Sequence, residues 1–293
     1  MKHWDTVAIV GVGLIGGSIG LDLLAQNGTR AGAQRVVGIG RRAESLAAAL
    51  RIGAVTETSL DLAKGVAEAE LVIVCTPVGR IVEDVLAAAK AARPGTLITD
   101  VGSTKRSIVR GLEGRLPAGV AFVGSHPIAG SEKNGPEAAL RGLFQDRVTV
   151  VTPGDGSSRE AASGPEDDAV EKIKDFWRSL GSRVVEMSPE AHDRALAATS
   201  HVPHVVASAL AGVTSAEYLD FAAGGWRDTT RIAASDSSLW RQILGDNRAE
   251  VIAALELVQT RLEEFRTALE SRDDAAVERL LTLGRLRRAS LAT

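Results

Sequence analysis

Five histidines and one cysteine are what this 293-residue chain offers for proton or thiol chemistry near neutral pH. His126 lies in Gly124-Ser125-His126-Pro127-Ile128-Ala129-Gly130, at the end of an apolar run. Pro127 biases the residue before it to an extended backbone, so the imidazole should leave the end of a strand. A histidine so placed suits general acid–base work if a substrate site adjoins it, and is otherwise ordinary. His201 and His204, in Ser200-His201-Val202-Pro203-His204, are spaced i,i+3 and share a helix face. They either line a ligand or hydrogen-bond within their own domain. No cluster of His, Cys or carboxylate has metal-ligand spacing, so no metal site is expected. Cys75 closes an apolar run without a basic neighbour and is expected in the core rather than as a nucleophile. A lone cysteine also excludes an intramolecular disulfide framework.

A second constellation binds rather than reacts. Gly11-Val12-Gly13-Leu14-Ile15-Gly16-Gly17-Ser18 follows the strand-like Val7-Ala8-Ile9-Val10 and opens a helical pattern. That context turns a weak glycine motif into a dinucleotide fingerprint. Gly11 permits the tight turn, Gly13 lets backbone approach a pyrophosphate, and Gly16 lets helix and strand pack closely. The amides of Leu14 and Ile15 would face the phosphates from the helix N-terminus. At the end of the second strand an acidic residue would hold a ribose 2′-hydroxyl, while arginine accommodates a 2′-phosphate. The chain has Gly40 there, followed by Arg41 and Arg42. NADP is thus preferred over NAD, unless both arginines are simply solvated charges opening the next helix. Thr76-Pro77 and Asp100-Val101-Gly102-Ser103 end two further strands and are placed to line nicotinamide and substrate.

The elements that must carry these residues are legible in the patterning. Apolar runs at 6–10, 35–39, 71–75, 96–100, 121–124 and 148–152 have the continuous Val/Ile/Leu character of strands covered on both faces. Helical stretches at 17–26, 43–51, 80–92 and 104–116 separate most of them, which predicts an α/β doubly wound sheet. Residues 154–168, GDGSSREAASGPEDD, form a polar low-complexity linker or exposed loop. Beyond it the pattern is almost wholly helical, apart from a strand-like run at 183–187. Ser188-Pro189-Glu190 opens a helix, Pro203 should kink it, and further helices span 248–271 and 273–288. The division is therefore a dinucleotide-binding domain at 1–153, the linker, and a helical domain at 169–293.

Composition sets limits on partners. Hydrophobic residues make up 45% and charged residues 24%, enough for a core. A net charge of −3 shows no basic excess for nucleic acid. Aromatic residues are only 3%, so packing rests on Ala, Val, Leu and Ile. No apolar run resembles a signal core or a membrane span, and a cytoplasmic protein with no membrane partner is expected.

Taken in order, the glycine motif, Cys75-Thr76-Pro77, Asp100-Val101-Gly102-Ser103-Thr104-Lys105, His126-Pro127-Ile128-Ala129-Gly130, Ser200-His201-Val202-Pro203-His204 and Trp226-Arg227-Asp228-Thr229-Thr230-Arg231-Ile232 resemble the prephenate/arogenate dehydrogenases. The resemblance extends from about Asp5 to Arg285. It implies a Rossmann-type doubly wound sheet followed by an all-helical dimerisation domain, hence a homodimer. The implied reaction is oxidative decarboxylation of prephenate to 4-hydroxyphenylpyruvate in tyrosine biosynthesis, with hydride passing to a nicotinamide cofactor. Arogenate, giving tyrosine directly, is the alternative substrate. By resemblance His126 accepts the hydroxyl proton, Ser103 supports His126 and that hydroxyl, Arg231 binds a substrate carboxylate and His201 lines the substrate side chain. Lys105 and Arg227 either tune the anionic site or are structural ion-pair partners. Trp240 either reaches across the subunit boundary or packs in the core. Relatives that carry a chorismate mutase ahead of this region, or a regulatory domain after it, differ from the pattern here.

Two rivals are weaker. A β-hydroxyacid dehydrogenase would use a lysine on the interdomain helix, and residues 188–216 contain none. A catalytically silent NADP-binding sensor would not need Ser103, His126, His201 and Arg231 together.

Overall fold

The computed structural model describes residues 4–27, 32–130, 133–154 and 165–291. Its strands are β1 (Trp4–Val10), β2 (Ala33–Ile39), β3 (Glu57–Ser59), β4 (Leu71–Val74), β5 (Leu97–Asp100), β6 (Ala121–Pro127), β7 (Val148–Thr152) and β8 (Arg183–Glu186). They form one sheet in the order β3-β2-β1-β4-β5-β6-β7-β8. The order reverses between β1 and β4, which opens a crevice at their carboxyl ends.

Successive side chains of a strand point to opposite faces, and here both faces are covered. Val7 and Ile9 of β1 and Leu71 and Ile73 of β4 join one core with α1 (Leu14–Ala25), α2 (Ala43–Arg51) and α6 (Pro165–Ser179). Ala8, Val10, Val72 and Val74 join the other, with α3 (Leu62–Val66), α4 (Val78–Ala91) and α5 (Arg106–Leu112). Burial on two sides is why these strands are apolar without alternation.

Two expectations are corrected. Strand β7 breaks the parallel order of a doubly wound sheet and runs antiparallel to β6, because among the described residues only a short 3₁₀ turn (Pro136–Ala138), and no crossover helix, lies between them. Strand β8 then pairs parallel with β7, and Ile173, Phe176 and Trp177 of α6 fill the first core. Residues 169–187 thus belong to the sheet, not to the helical domain, and the helical part begins at Ser188. Most of the expected linker, residues 155–164, lies outside the described residues.

The helical part comprises α7 (Pro189–Leu196), a π turn (Ala197–His201), α8 (Val202–Val213), α9 (Gly224–Thr230), α10 (Ser237–Asp246), α11 (Arg248–Glu270) and α12 (Asp274–Ala289). The Ser188 side chain accepts from the Ala191 N–H and caps α7 as expected. Pro203 has no N–H to donate, and the wide π turn precedes it, with the Val202 N–H reaching back to the Ala197 carbonyl. Helix α10 docks this part onto the sheet: Ile243 is buried in the second core and Trp240 packs against it. The continuous helix Pro189–Val213 is long and apolar enough to span a membrane by length and composition, contrary to expectation. It nonetheless carries His192 and Asp193, both buried and hydrogen-bonded to the sheet unit, which makes it an interdomain helix.

Candidate active site

The glycine turn has the shape its sequence demands. Gly11 has φ +95°, and a Cβ there would lie 2.9 Å from the Cys75 carbonyl oxygen. A Cβ on Gly16 would lie 2.4 Å from the Gly11 oxygen, so α1 could not approach β1. A Cβ on Gly13 would meet nothing within 4 Å, so the space beside its backbone is open, while its N–H closes the turn on the Gly11 carbonyl at 3.1 Å. Helix α1 begins at Leu14 without a side-chain cap and without an acid in its first turn. The positive end of its dipole is therefore uncompensated. The Thr76 hydroxyl, at the end of β4 beside Gly11, is buried without a partner among the described residues. An open glycine, a bare helix N-terminus and an orphaned hydroxyl together fit a dinucleotide pyrophosphate. Arg41 and Arg42 are exposed at the end of β2, where α2 begins.

His126 lies on β6 beyond the end of β5, opposite Val150 of β7. Its Nδ1 is 2.9 Å from His192 Nε2, and His192 Nδ1 is 2.8 Å from Asp193 Oδ1. Asp193 also accepts from the backbone N–H groups of Lys105 (2.8 Å) and Arg106 (3.1 Å), at the N-terminus of α5. Asn247 Nδ2 donates to the Asp193 carbonyl at 2.7 Å. Burial pushes the His126 imidazole well below its ordinary range, and the neighbouring His192, Lys105 and His201 push the same way. His126 is thus neutral at physiological pH, with a free lone pair.

Beneath it lies a buried polar layer. Lys105 and Asp100 are fully buried and form an ion pair, and Lys105 Nζ also donates to the Ser125 carbonyl at 2.8 Å. Asp100 accepts from the N–H groups of Gly102 (2.8 Å) and Ser125 (3.2 Å), and Trp177 Nε1 donates to Ser125 Oγ at 2.9 Å. Every partner here fixes the β5 and β6 ends that carry Ser103 and His126.

The expected site residues therefore divide. Thr76 and Pro77 follow β4, Ser103 follows β5 and His126 lies on β6, so all four stand toward the carboxyl ends of adjacent strands. Lys105 is wholly buried and committed to Asp100, so of its two expected roles, substrate binding or structural ion pair, the structure has the ion pair. His126 is held by His192, not by Ser103. His201 is 1% exposed, lies 3.2 Å from Asn247 Nδ2 through its Nδ1, and burial lowers its pKa to about 4. Its Nδ1 is thus engaged within the helical part. His204 stacks on Trp240 with ring centroids 3.6 Å apart, and its Nδ1 has no partner among the described residues. Trp240, half-buried, packs against the core of its own subunit. Arg227 Nε donates to the Ala222 carbonyl at 3.1 Å. Arg231 opens a 3₁₀ turn (Arg231–Ala234) and is exposed, without an ion pair among the described residues. Cys75 is no nucleophile, since burial, and secondarily Asp100, raise its pKa.

Sequence reasoning missed His192 and Asp193. The capped helix start at Ser188 was the available signal, because it places both residues on the first turns of the interdomain helix. Among the described residues no cluster of His, Cys, Asp or Glu could hold a metal ion.

A dinucleotide turn at a sheet crevice, with a neutral histidine at the same rim, defines a nicotinamide-dependent dehydrogenase. Residues 24–186 match the family model of the prephenate dehydrogenase nucleotide-binding domain, and residues 188–283 match that of its dimerisation domain. The chain belongs to the prephenate dehydrogenase family. It is 37% identical to the prephenate dehydrogenase of Bacillus subtilis, over 92% of this chain and 71% of that protein. It is 36% identical to the cyclohexadienyl dehydrogenase of Zymomonas mobilis, over 93% of this chain and 91% of that one. The solved structure of Aquifex aeolicus prephenate dehydrogenase with hydroxyphenyl propionate and NAD+ superposes with a TM-score of 0.86 at 28% identity, covering 98% of each chain. The boundary between the two family models, at residue 187, coincides with the point where the sheet ends and α7 begins.

Proposed function

We propose that this enzyme oxidises and decarboxylates prephenate to 4-hydroxyphenylpyruvate, with His126 as its base. The carrying observation is a neutral imidazole at the sheet rim whose Nδ1 is occupied by His192, which leaves Nε2 for a hydroxyl. A nicotinamide held there would supply the acceptor for hydride from the hydroxyl-bearing ring carbon. His126 accepts the hydroxyl proton as the carbonyl forms, and aromatisation drives loss of the ring carboxylate as carbon dioxide. Ser103 contacts the same hydroxyl, and Arg231 holds a substrate carboxylate through its two-pronged guanidinium. Gly11, Gly13, Leu14, Ile15, Gly16, Thr76 and Pro77 hold the dinucleotide. Arg41, with Arg42 beside it, favours NADP by meeting the 2′-phosphate.

The names of the relatives support prephenate, and "cyclohexadienyl" on one of them keeps arogenate open as a second substrate. Exposed Leu257, Leu262 and Leu269 of α11 and Leu281 and Leu286 of α12 supply apolar surface for a homodimer. A cytoplasmic location belongs to the same reading.

The test is reduction of cofactor at about 340 nm with prephenate or arogenate, each with NAD or NADP. Prephenate with NADP is expected to be fastest, and Arg41→Asp to move the preference toward NAD. An unchanged cofactor ratio in that variant would remove Arg41 from the 2′-phosphate.

A further inference from the structure

We propose that His192 and Asp193 are positioning residues for His126: they hold its imidazole as the tautomer whose Nε2 can accept the substrate's hydroxyl proton. The inference rests on His126 being the base, and it adds what makes it one.

The argument is one of hydrogen-bond polarity. A neutral imidazole has one N–H and one lone pair, and which nitrogen carries the proton is set by its partners. Asp193 sits at the start of the chain and is ionised. Burial alone would raise its pKa, but the bonds from His192 and from the Lys105 and Arg106 amides outweigh that and lower it. An ionised carboxylate only accepts. His192 Nδ1 must therefore donate to Asp193 Oδ1, at 2.8 Å. His192, itself neutral through burial, is left with a lone pair on Nε2. His126 Nδ1, 2.9 Å away, must in turn donate to it. The lone pair of His126 then falls on Nε2, the nitrogen turned away from His192. When His126 takes up the substrate proton, its new positive charge lies at one end of a donor chain that ends on a carboxylate. The logic is that of a catalytic triad, with a second imidazole inserted between base and acid.

The assembly around Asp193 is rigid. Its carboxylate receives two backbone amides from the N-terminus of α5, and its carbonyl receives Asn247 from the start of α11. The titratable groups acting on His126 come from several elements: Lys105 before α5, His192 from α7 and His201 from the π turn, while Asp193 and Asp100 act on His192 behind it. Lys105 is neutralised by Asp100, so Asp193 is the anion to which the His126 chain leads.

The wild-type enzyme can be read directly by 15N NMR of labelled histidine at about pH 7.5, with His126 assigned from its absence in His126→Asn. The expected spectrum shows His126 protonated on Nδ1 and bare on Nε2. A proton on Nε2 in the free enzyme overturns the proposal, whatever any variant does. In parallel, His192→Phe removes the acceptor and should lower kcat on the order of 10–100-fold, the usual cost of losing a partner that orients an active-site histidine, with KM little changed. His192→Gln, whose amide can donate to Asp193 and accept from His126, should recover much of that loss. Full turnover in His192→Phe overturns the positioning role while leaving the base in place. Full turnover in His126→Asn overturns the base itself, and the positioning with it.

Discussion

Lys105 shows how one residue's burial decides its chemistry. An exposed lysine beside Ser103 would be a plausible grip on a carboxylate substrate. Wholly buried, it is held by Asp100 and the Ser125 carbonyl, and desolvation lowers its pKa against the pull of those partners. Removing one member of a buried pair strands the other and costs about 3–5 kcal/mol. Lys105→Ala should therefore lose stability of that order in urea unfolding. A KM rise for substrate at unchanged stability would restore Lys105 to the substrate side. The sequence placed Lys105 correctly in its motif but could not show the direction of its side chain, because that depends on where β6 delivers the Ser125 carbonyl. His201 and His204 carry the same lesson. Both were legible as one helix face, yet Asn247, more than 40 residues away in sequence, is what commits His201 to the interior.

The element that matters most to this site is α7. The Ser188 hydroxyl accepts from the Ala191 N–H at 3.1 Å and fixes the first turn, four and five residues before His192 and Asp193. Ser188→Ala should cost about 0.5–2 kcal/mol, the usual cost of a lost N-cap. It should also lower kcat, because the fraying end carries the residues that hold His126. Thermal unfolding and kcat measured on the same preparation check both. Loss of stability with kcat intact would uncouple the cap from the site. This helix start was evident in the sequence, as were the strands of the nucleotide unit other than the three-residue β3, since caps and doubly buried strands leave local signatures. Strand β8 and helix α6 were assigned to the wrong unit. Both have ordinary local patterns, and only the pairing of β8 with β7 and the burial of Trp177 show which core they fill.

At the scale of the whole molecule, the fold gathers neutral histidines at the seam between its sheet and helical parts. Burial lowers the pKa of His126, His192, His201 and His204. In the unfolded chain each takes up a proton near pH 6.5, while the folded protein resists it. Below that pH the unfolded state binds more protons, so stability must fall as pH falls. The loss begins near 6.5 and continues down to the lowered folded values, about 4 for His201. Asp193 adds nothing in this window, because its own loss begins only near the carboxylate range. Unfolding temperatures at pH 7.5 and 5.5 should differ clearly, with the acidic sample lower, and equal values would contradict the buried, neutral state of these residues. This convergence of histidines was invisible in sequence because it spans β6, α7, the π turn and α8, which no spacing rule connects.

The central claim is that His126 takes the proton released as hydride leaves prephenate. Single-turnover reduction of the bound nicotinamide by prephenate, in the wild type and in His126→Asn, tests it most directly because product release is removed from the rate. The account predicts a fall in the reduction rate on the order of 10²–10⁴-fold in the variant, with cofactor binding preserved. A wild-type rate of reduction in His126→Asn would contradict it.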